Sequence, residues 1–569
     1  MIDRPLRFPR LLLLLLYGGT GMTALGYEVL WTRMMSLMFG ISIFGVVLTV
    51  TAFMAGLGAG SLVGARMFVG HSARQALLRL GVIEALIACY ALLLPLGMPF
   101  LDGWLIQLGE SLSLSGWQML QGVAAFLLLF PAAFAMGLAF PLALQAARGL
   151  RHAVGMMYGV NALGGAIGAC LPLLLLPLFG WRSALWSVAT LGLLLAALAW
   201  WLCRYFSTTP ARVRAQHVQR PAWMDLLAYA GIGAAALMLE VLWTRIYGTV
   251  LLRTEYVLAV LLFVYLAGIG LGSVLSRWMR SPRWFYVLPV ASALLVLPGQ
   301  YLLPAISQWV ARSDYSSLAM AMLMQGGAVM LCTLPVTLLL GAWLPLLAGR
   351  SAQHEGSVGG GWWYGANSAG AALGAIVAGF VLLPWLGSFG ALGLAIILLF
   401  VCGMRWVDDR RVWLALPVLL LLIWPVRMFP AVATLLPALQ DAGDLFVYED
   451  AVTLTHVVEQ SDGQRVLLSD LQRMDASSEP TAVTVQKNQA RLPLLLHARP
   501  ASVLLLGVGT GITAAGVLPF GSLRLTGVEL SQGAIEAAKD YFAPVNDDVM
   551  MKMHVVHDDV RRFLRADRQ

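Results

Sequence analysis

Apolar residues run along this chain in blocks of about 20, long enough to cross the ~30 Å hydrocarbon core of a bilayer. They fall near 11–32, 43–65, 77–98, 118–145, 155–178 and 183–203, and again near 223–248, 256–276, 284–303, 319–348, 362–384 and 388–404. The pattern predicts twelve membrane-spanning helices. A shorter apolar run, 412–426, follows, interrupted by Pro417 and Pro425 and ended by Arg427. At 1.5 Å per residue it covers roughly 22 Å. It reads either as a helix on the inner surface or as a short thirteenth span. Snorkelling arginines and the apolar stretch 428–439 favour the span. Past residue 440 the pattern changes: LTHVVEQ and QRVLLS alternate with the period of half-buried strands.

The blocks repeat. EVLWTR stands at 28–33 and at 240–245, and MAGLGAGSLVGAR (54–66) answers YLAGIGLGSVLSR (265–277), with Gly56, Gly58, Gly60 and Ser61 matching Gly268, Gly270, Gly272 and Ser273 at the same offset. AMGLAFPLAL (135–144) resembles LLGAWLPLLAG (339–349). GMMYGVNALGGAIGA (155–169) matches GWWYGANSAGAALGA (361–375), pairing Tyr158 with Tyr364 and Asn161 with Asn367. Six spans per half is an even number, so the halves share one orientation about an axis along the membrane normal. The start, MIDRPLRFPR before an apolar core, has the look of a signal peptide. Its counterpart in mid-chain makes it a retained helix.

Each hexapeptide puts a carboxylate and a guanidinium into apolar surroundings. Positions five apart on a helix are rotated by about 140°, so Glu28 and Arg33, like Glu240 and Arg245, are poorly placed to pair within one helix. Membrane-embedded charges face the bundle interior and pair with one another. The repeat therefore predicts Glu28 with Arg245 and Glu240 with Arg33, tying the first span to the seventh. The rival reading has Glu28 and Glu240 facing a cavity and binding a cation, for which a polyamine is apt.

Composition agrees with a bilayer. Hydrophobic residues make up 59% of 569 and charged residues 12%, with a mean hydropathy of +0.79. The net charge of +8 comes from arginine; lysine occurs only at 487, 539 and 552. Arginines gather in one set of loops: Arg4, Arg7 and Arg10; Arg66, Arg74 and Arg79; Arg148 and Arg151; Arg204, Arg212, Arg214 and Arg220; Arg277, Arg280 and Arg283; Arg350; Arg405, Arg410 and Arg411. The alternate loops offer little beyond Arg182, Arg253 and Arg312. The positive-inside rule places the N-terminus in the cytoplasm of a bacterial inner membrane. It accounts for the basic balance without nucleic acid, leaving membrane lipid as the partner. Counting thirteen spans places 445–569 on the periplasmic side. His71, His152, His217 and His354 lie in inner loops, which argues against a histidine proton relay. The five cysteines show no CxxC spacing, and His554 and His557 fall on opposite faces of a strand, so no metal site is expected. Trp362 and Trp363 suit an interfacial aromatic belt.

Two six-span halves, with Gly-rich GSLVGAR after the second span, resemble the major facilitator superfamily of transporters. Ala65 stands where that family's loop motif usually has Asp. Glycines also pack helices closely in any membrane bundle.

Beyond 440 the informative stretch is ASVLLLGVGTGITAAGVLPFGSLRLTGVELSQGAIEAAKDYF. A strand at 503–506 runs into Gly507, Gly509, Thr510 and Gly511, then a helix, and a second strand ends at Glu529. A doubly wound fold holds an adenosine-type cofactor this way, glycines admitting the ligand and the acid binding its ribose hydroxyls. RLPLLLHARPASVLLLGVGTG, VELSQGAIEAAKDYF and HDDVRRFL resemble the spermidine synthase (polyamine aminopropyltransferase) family, in particular its membrane-fused bacterial branch. The resemblance implies that Gly507, Gly509, Thr510, Gly511 and Glu529 hold decarboxylated S-adenosylmethionine, and that Asp559 approaches its adenine. Gln472, in LSDLQ, stands in for the family's LDGxxQ glutamine, two residues after Asp470 rather than four. Thr510 replaces the Asp of GGGDGG.

The chain ends at Gln569, before the fourth strand on which the family carries its catalytic aspartate. The domain is therefore expected to be incomplete, with a second chain as a partner able to complete it and no catalytic residue assigned. Asp470, Asp475 and Glu479 read as solvated loop acids. The expected fold is a polytopic all-α membrane bundle of two parallel six-helix repeats, 1–207 and 208–410, a possible thirteenth span and linker, 411–440, and an α/β Rossmann-like unit, 441–569. Three functions compete: aminopropyl transfer to a polyamine; a polyamine or other cation transporter whose Rossmann unit is non-catalytic; and an S-adenosylmethionine-dependent methyltransferase.

Overall fold

The computed structural model describes residues 7–39, 43–109, 112–150, 152–209, 221–251, 255–279, 281–351, 358–521 and 523–566. Arg4, Arg151, Arg212, Arg214, Arg220, Arg253, Arg280, His217 and His354 lie outside them. Most of the chain is helical: α1 (Arg7–Phe39), α2 (Ile43–Met67), α3 (Ala73–Gly109), α4 (Leu114–Ala146) and α5 (Ala153–Leu202) form the first half. The second half holds α6 (Trp223–Val250), α7 (Glu255–Leu275), α8 (Trp284–Leu294), α9 (Leu297–Tyr301), α10 (Leu303–Arg312), α11 (Leu318–Ser351), α12 (Val358–Ile376) and α13 (Leu383–Gly403). Among the described residues, ten helical stretches are long and apolar enough to cross a membrane.

Two of these ten fold back on themselves. In α5, Gly180 adopts φ 70° and ψ 172°, and before α13 continues, Gly387 adopts φ 67° and ψ 175°. Such left-handed backbone suits glycine. Both glycines follow a proline three residues earlier, Pro177 and Pro384. Gly168 and Val188 both border Gly26, while Leu195 has returned to Gly19, so the segment after Gly180 runs back along α1. The ten stretches thus give twelve apolar segments, with boundaries close to those the sequence predicts. The ninth departs: instead of one helix it is α8, α9 and α10, with Pro298 and Pro304 starting the second and third pieces.

The repeat is visible in the packing. A Cβ on Gly21 would overlap the Asn161 carbonyl, and one on Gly233 would overlap that of Asn367. Across the halves, Ser61 Oγ donates to the Gly361 carbonyl at 3.0 Å and Ser273 Oγ to that of Gly155 at 2.9 Å. Tyr158 and Tyr364 meet edge to face, ring centroids 5.9 Å apart. Trp362 and Trp363 are buried, Trp362 beneath Arg66 and Trp363 against Tyr229 and Trp406, so they pack between helices rather than forming an exposed belt.

After α13 the chain turns and climbs. Trp413 meets Phe400, Ile423 in α14 (Ala415–Ile423) borders Gly393, and Arg427 reaches Gly390, so this segment runs antiparallel to α13 from its arginine-rich end to its Gly387 end. Its outer face, including Leu414 and Leu421, is exposed and apolar, as lipid contact requires. Tyr301 Oη donates to the Leu422 carbonyl, and beyond it Ser307 and Gln308 of α10 hold α15 (Val432–Leu435).

The remaining chain forms two small sheets. Strands β1 (Gly443–Glu449), β2 (Leu454–Glu459), β3 (Arg465–Ser469) and β4 (Gln472–Ser477) make an antiparallel meander. Helix α16 (Pro480–Leu496) leads to a parallel sheet of β5 (Ser502–Leu506), β6 (Arg524–Glu529) and β7 (His554–His557), in that order. Around it lie α17 (Ile512–Ala515), α18 (Gln532–Asp540), α19 (Ala543–Asn546) and α20 (Val560–Ala566). Val458, Val466, Leu468 and Leu471 of the meander share the core of the bundle, which fixes the C-terminal unit against the bundle's Gly387 end.

Candidate functional site

The carboxyl ends of β5, β6 and β7 converge on one edge, where parallel sheets present ligand crevices. β5 runs into Gly507 (φ 94°), Gly509 (φ 54°) and Gly511 (φ 76°), conformations that side chains with a Cβ seldom adopt. β6 ends at Glu529 beside this turn. Its Oε2 accepts from the Val508 amide at 2.8 Å and the Gly509 amide at 3.1 Å, and its Oε1 from the Ser531 amide at 3.0 Å. β7 ends at His557, and the amide of the next residue, Asp558, donates to the Glu529 carbonyl at 3.1 Å. Gly507, Gly509, Thr510, Gly511, Glu529 and Asp559 are thus brought to one edge of the sheet.

Their roles differ in detail from the expectation. Glu529 has three of its roughly four acceptor positions occupied by its own chain, which leaves room for one ribose hydroxyl rather than two. Thr510 is buried and donates to Gln486 of α16 at 3.1 Å, while Asn546 holds its carbonyl at 2.9 Å. This threonine braces the turn from behind. Asp559 caps α20 by accepting from the Arg561 amide at 2.8 Å. Gln472 is exposed at the start of β4, on the hairpin whose neighbour Thr455 meets Ser531 at 3.3 Å. Gln486 and Asn546, which fix the turn, carry no motif; only the fold brings them there.

A second cluster joins the bundle to the C-terminal unit. Arg245, 8% exposed near the C-terminal end of α6, lies 3.7 Å from Glu449 and 3.6 Å from Asp470, and donates to the Asp450 carbonyl at 3.2 Å. Glu449 in turn accepts from the Ser388 amide at 2.9 Å and from the Ser388 hydroxyl. The predicted pairing of Arg245 with Glu28 is therefore corrected. Arg245 sits above Glu240 toward the end of its helix, where acids of β1 and the β3–β4 turn are nearer than the interior of the bundle. Asp470 is likewise no solvated loop acid: it is buried, and its side chain caps the Leu454 amide at 2.7 Å. Glu28 and Glu240 are buried within electrostatic reach of each other, and Glu28 Oε2 has no hydrogen-bond donor among the described residues. Arg33 is half-buried toward the C-terminal end of α1.

His456 of β2 stands near this cluster, 1% exposed, its ring 5.8 Å from Phe429. Burial pulls its pKa down to about 4, against the opposing pull of Asp470. Burial also raises the pKa of Asp444, although the Val432 amide donates to that carboxylate.

No protein-family model matches the sequence. The chain is similar to a polyamine aminopropyltransferase of Corynebacterium efficiens, 26% identical over 375 residues that cover 60% of this chain and 67% of that protein. A stretch of that length cannot fit within 441–569, so the similarity reaches into the membrane-embedded part. Among solved structures, a bacterial homologue of the iron transporter ferroportin in its outward-facing state, with soaked iron, aligns with a TM-score of 0.44 and 14% identity, covering 70% of this chain and 99% of that one.

Proposed function

We propose that this chain is a membrane-integrated, spermidine synthase-like protein that binds an adenosyl-sulfonium ligand at the glycine turn and handles a polyamine. The observation that carries the reading is the convergence of the turn, Glu529 and Asp559 at the carboxyl edge of β5–β6–β7. The similarity to a polyamine aminopropyltransferase supports the ligand class. Aminopropyl transfer needs a carboxylate to steer and deprotonate the attacking amine. Asp470 and Glu449 are committed to Arg245, and Asp558 to Arg562. Binding, rather than turnover, is thus the property assigned to 1–569 alone.

The turn favours the decarboxylated ligand over S-adenosylmethionine. The Val508 and Gly509 amides already bind Glu529, so a ligand carboxylate would meet a negative group instead of free donors. A ligand that offers only an amine and a sulfonium avoids that repulsion. Calorimetric titration of the full chain should show decarboxylated S-adenosylmethionine binding at least tenfold more tightly than S-adenosylmethionine. Equal affinities would move the reading to a methyl-donor site, and no binding of either would end it.

One observation favours a non-catalytic C-terminal unit. It sits on the face opposite the arginine-rich loops, reached by the antiparallel climb past α13. Under the positive-inside rule that face is periplasmic, away from a cytosolic adenosyl pool. On this second reading the bundle is transporter-like and the unit senses polyamine outside.

A further inference from the structure

The first half of the bundle contains a buried carboxylate that neither the glycine turn nor the repeated hexapeptide uses. Glu84 of α3 lines a cavity of about 60 Å³ with Tyr17, Phe53, Phe140, Asn161 and Tyr364. Glu84 is 4% exposed and faces this space. The cavity is several times the roughly 10–15 Å³ that one water requires. Its polar walls set several acceptors beside the hydroxyls of Tyr17 and Tyr364. Asn161 spends its amide protons on the Tyr17 carbonyl and Thr20 Oγ1, which leaves its carbonyl oxygen free to accept. Thr20 and Thr23 likewise spend their hydroxyl protons on backbone carbonyls, and among the described residues no basic side chain lines the space.

A buried carboxylate among acceptors and aromatic faces attracts a cation with its own protons to donate. A primary ammonium meets all three demands: charge for Glu84, N–H donors for the oxygens, and an alkyl stem for Phe53 and Phe140. The repeat sharpens the point. Around Glu84 the sequence reads E-A-L, and the corresponding S-A-L of α8 places Ser292 there, so the second half carries no such acid. A purely structural group would be expected to repeat with the scaffold. We infer that the Glu84 cavity is a binding site for a primary ammonium group, held between the first half and Tyr364 of the second.

This site is separate from the adenosyl crevice, and its test does not pass through it. Full-length protein in lipid nanodiscs, titrated with ethylammonium chloride by calorimetry, should show one saturable site. Glu84→Gln should weaken it at least tenfold, and Glu84→Asp, which keeps the charge but withdraws it by one methylene, by an intermediate factor. Should Glu84→Gln lose its monodisperse elution profile, Asn161→Leu serves instead, with at least threefold weaker binding expected. Tetraethylammonium, which has no N–H to donate and exceeds the cavity, should not compete. Wild-type affinity in a folded Glu84→Gln, absence of saturable binding to the wild type, or displacement by equimolar sodium would each overturn the assignment. Glu529→Gln should leave ethylammonium binding unchanged, so a failed adenosyl site would not be mistaken for a failed ammonium site.

Discussion

At the scale of residues, Arg245 carries the most consequence. Removing one partner of a buried charge cluster leaves the others unpaired, at a cost of about 3–5 kcal/mol. Arg245→Leu should therefore loosen the C-terminal unit from the bundle, seen as faster hydrogen exchange in β1 and the β3–β4 turn with the helices unchanged. Unaltered exchange there would remove Arg245 from that role. His456 makes the same junction sensitive to acid. Its folded pKa of about 4 lies below the ordinary 6.5, so the folded unit binds fewer protons than the unfolded chain. Its stability is complete above about pH 6.5 and falls as pH drops toward 4, by roughly 3 kcal/mol at most. His456→Phe should flatten that decline in a proteolysis series from pH 7 to pH 4.5. The glycine turn was legible in the sequence because positive φ is a local demand that only a few residues meet. The partners of Arg245 were not, because Glu449 and Asp470 lie on another unit and helical spacing says nothing about what stands over a helix end.

At the scale of elements, the twelve apolar segments follow from hydropathy alone, since length and apolarity are what a bilayer selects. The two glycine reversals and the division of the ninth segment were hidden, because hydropathy does not register backbone direction. The repeat adds a test. Ser61 and Ser273 make matching hydrogen bonds between the halves, each worth about 1 kcal/mol. Ser61→Ala and Ser273→Ala should lower thermal stability by similar amounts and add in the double variant. A large effect from only one would show that the halves do not share load as their sequences do. β5 offers a further contrast. It pairs only with β6 among the described residues, and Leu504 and Leu506 are 39% and 53% exposed. An exposed apolar edge strand favours association, so Leu504→Lys with Leu506→Lys should reduce self-association on size-exclusion chromatography.

At the scale of the whole molecule, the sequence left 412–426 undecided between surface helix and span, and the structure lays it along α13 from one end to the other. The termini of the described chain then lie at opposite faces. Protease added to intact spheroplasts should cut the C-terminal unit; complete protection would place it with the arginine-rich loops instead. The glycine reversals carry a further consequence, for how the chain is made. At Gly180 and Gly387 two apolar segments meet with almost no polar residues between them. The emerging polypeptide then offers the insertion machinery no hydrophilic loop at which to pause between one crossing and the next. Each such pair should leave the translocation channel as a preformed hairpin. A ribosome stalled between its two arms should leave the first arm unintegrated, whereas a stall after α2 should not.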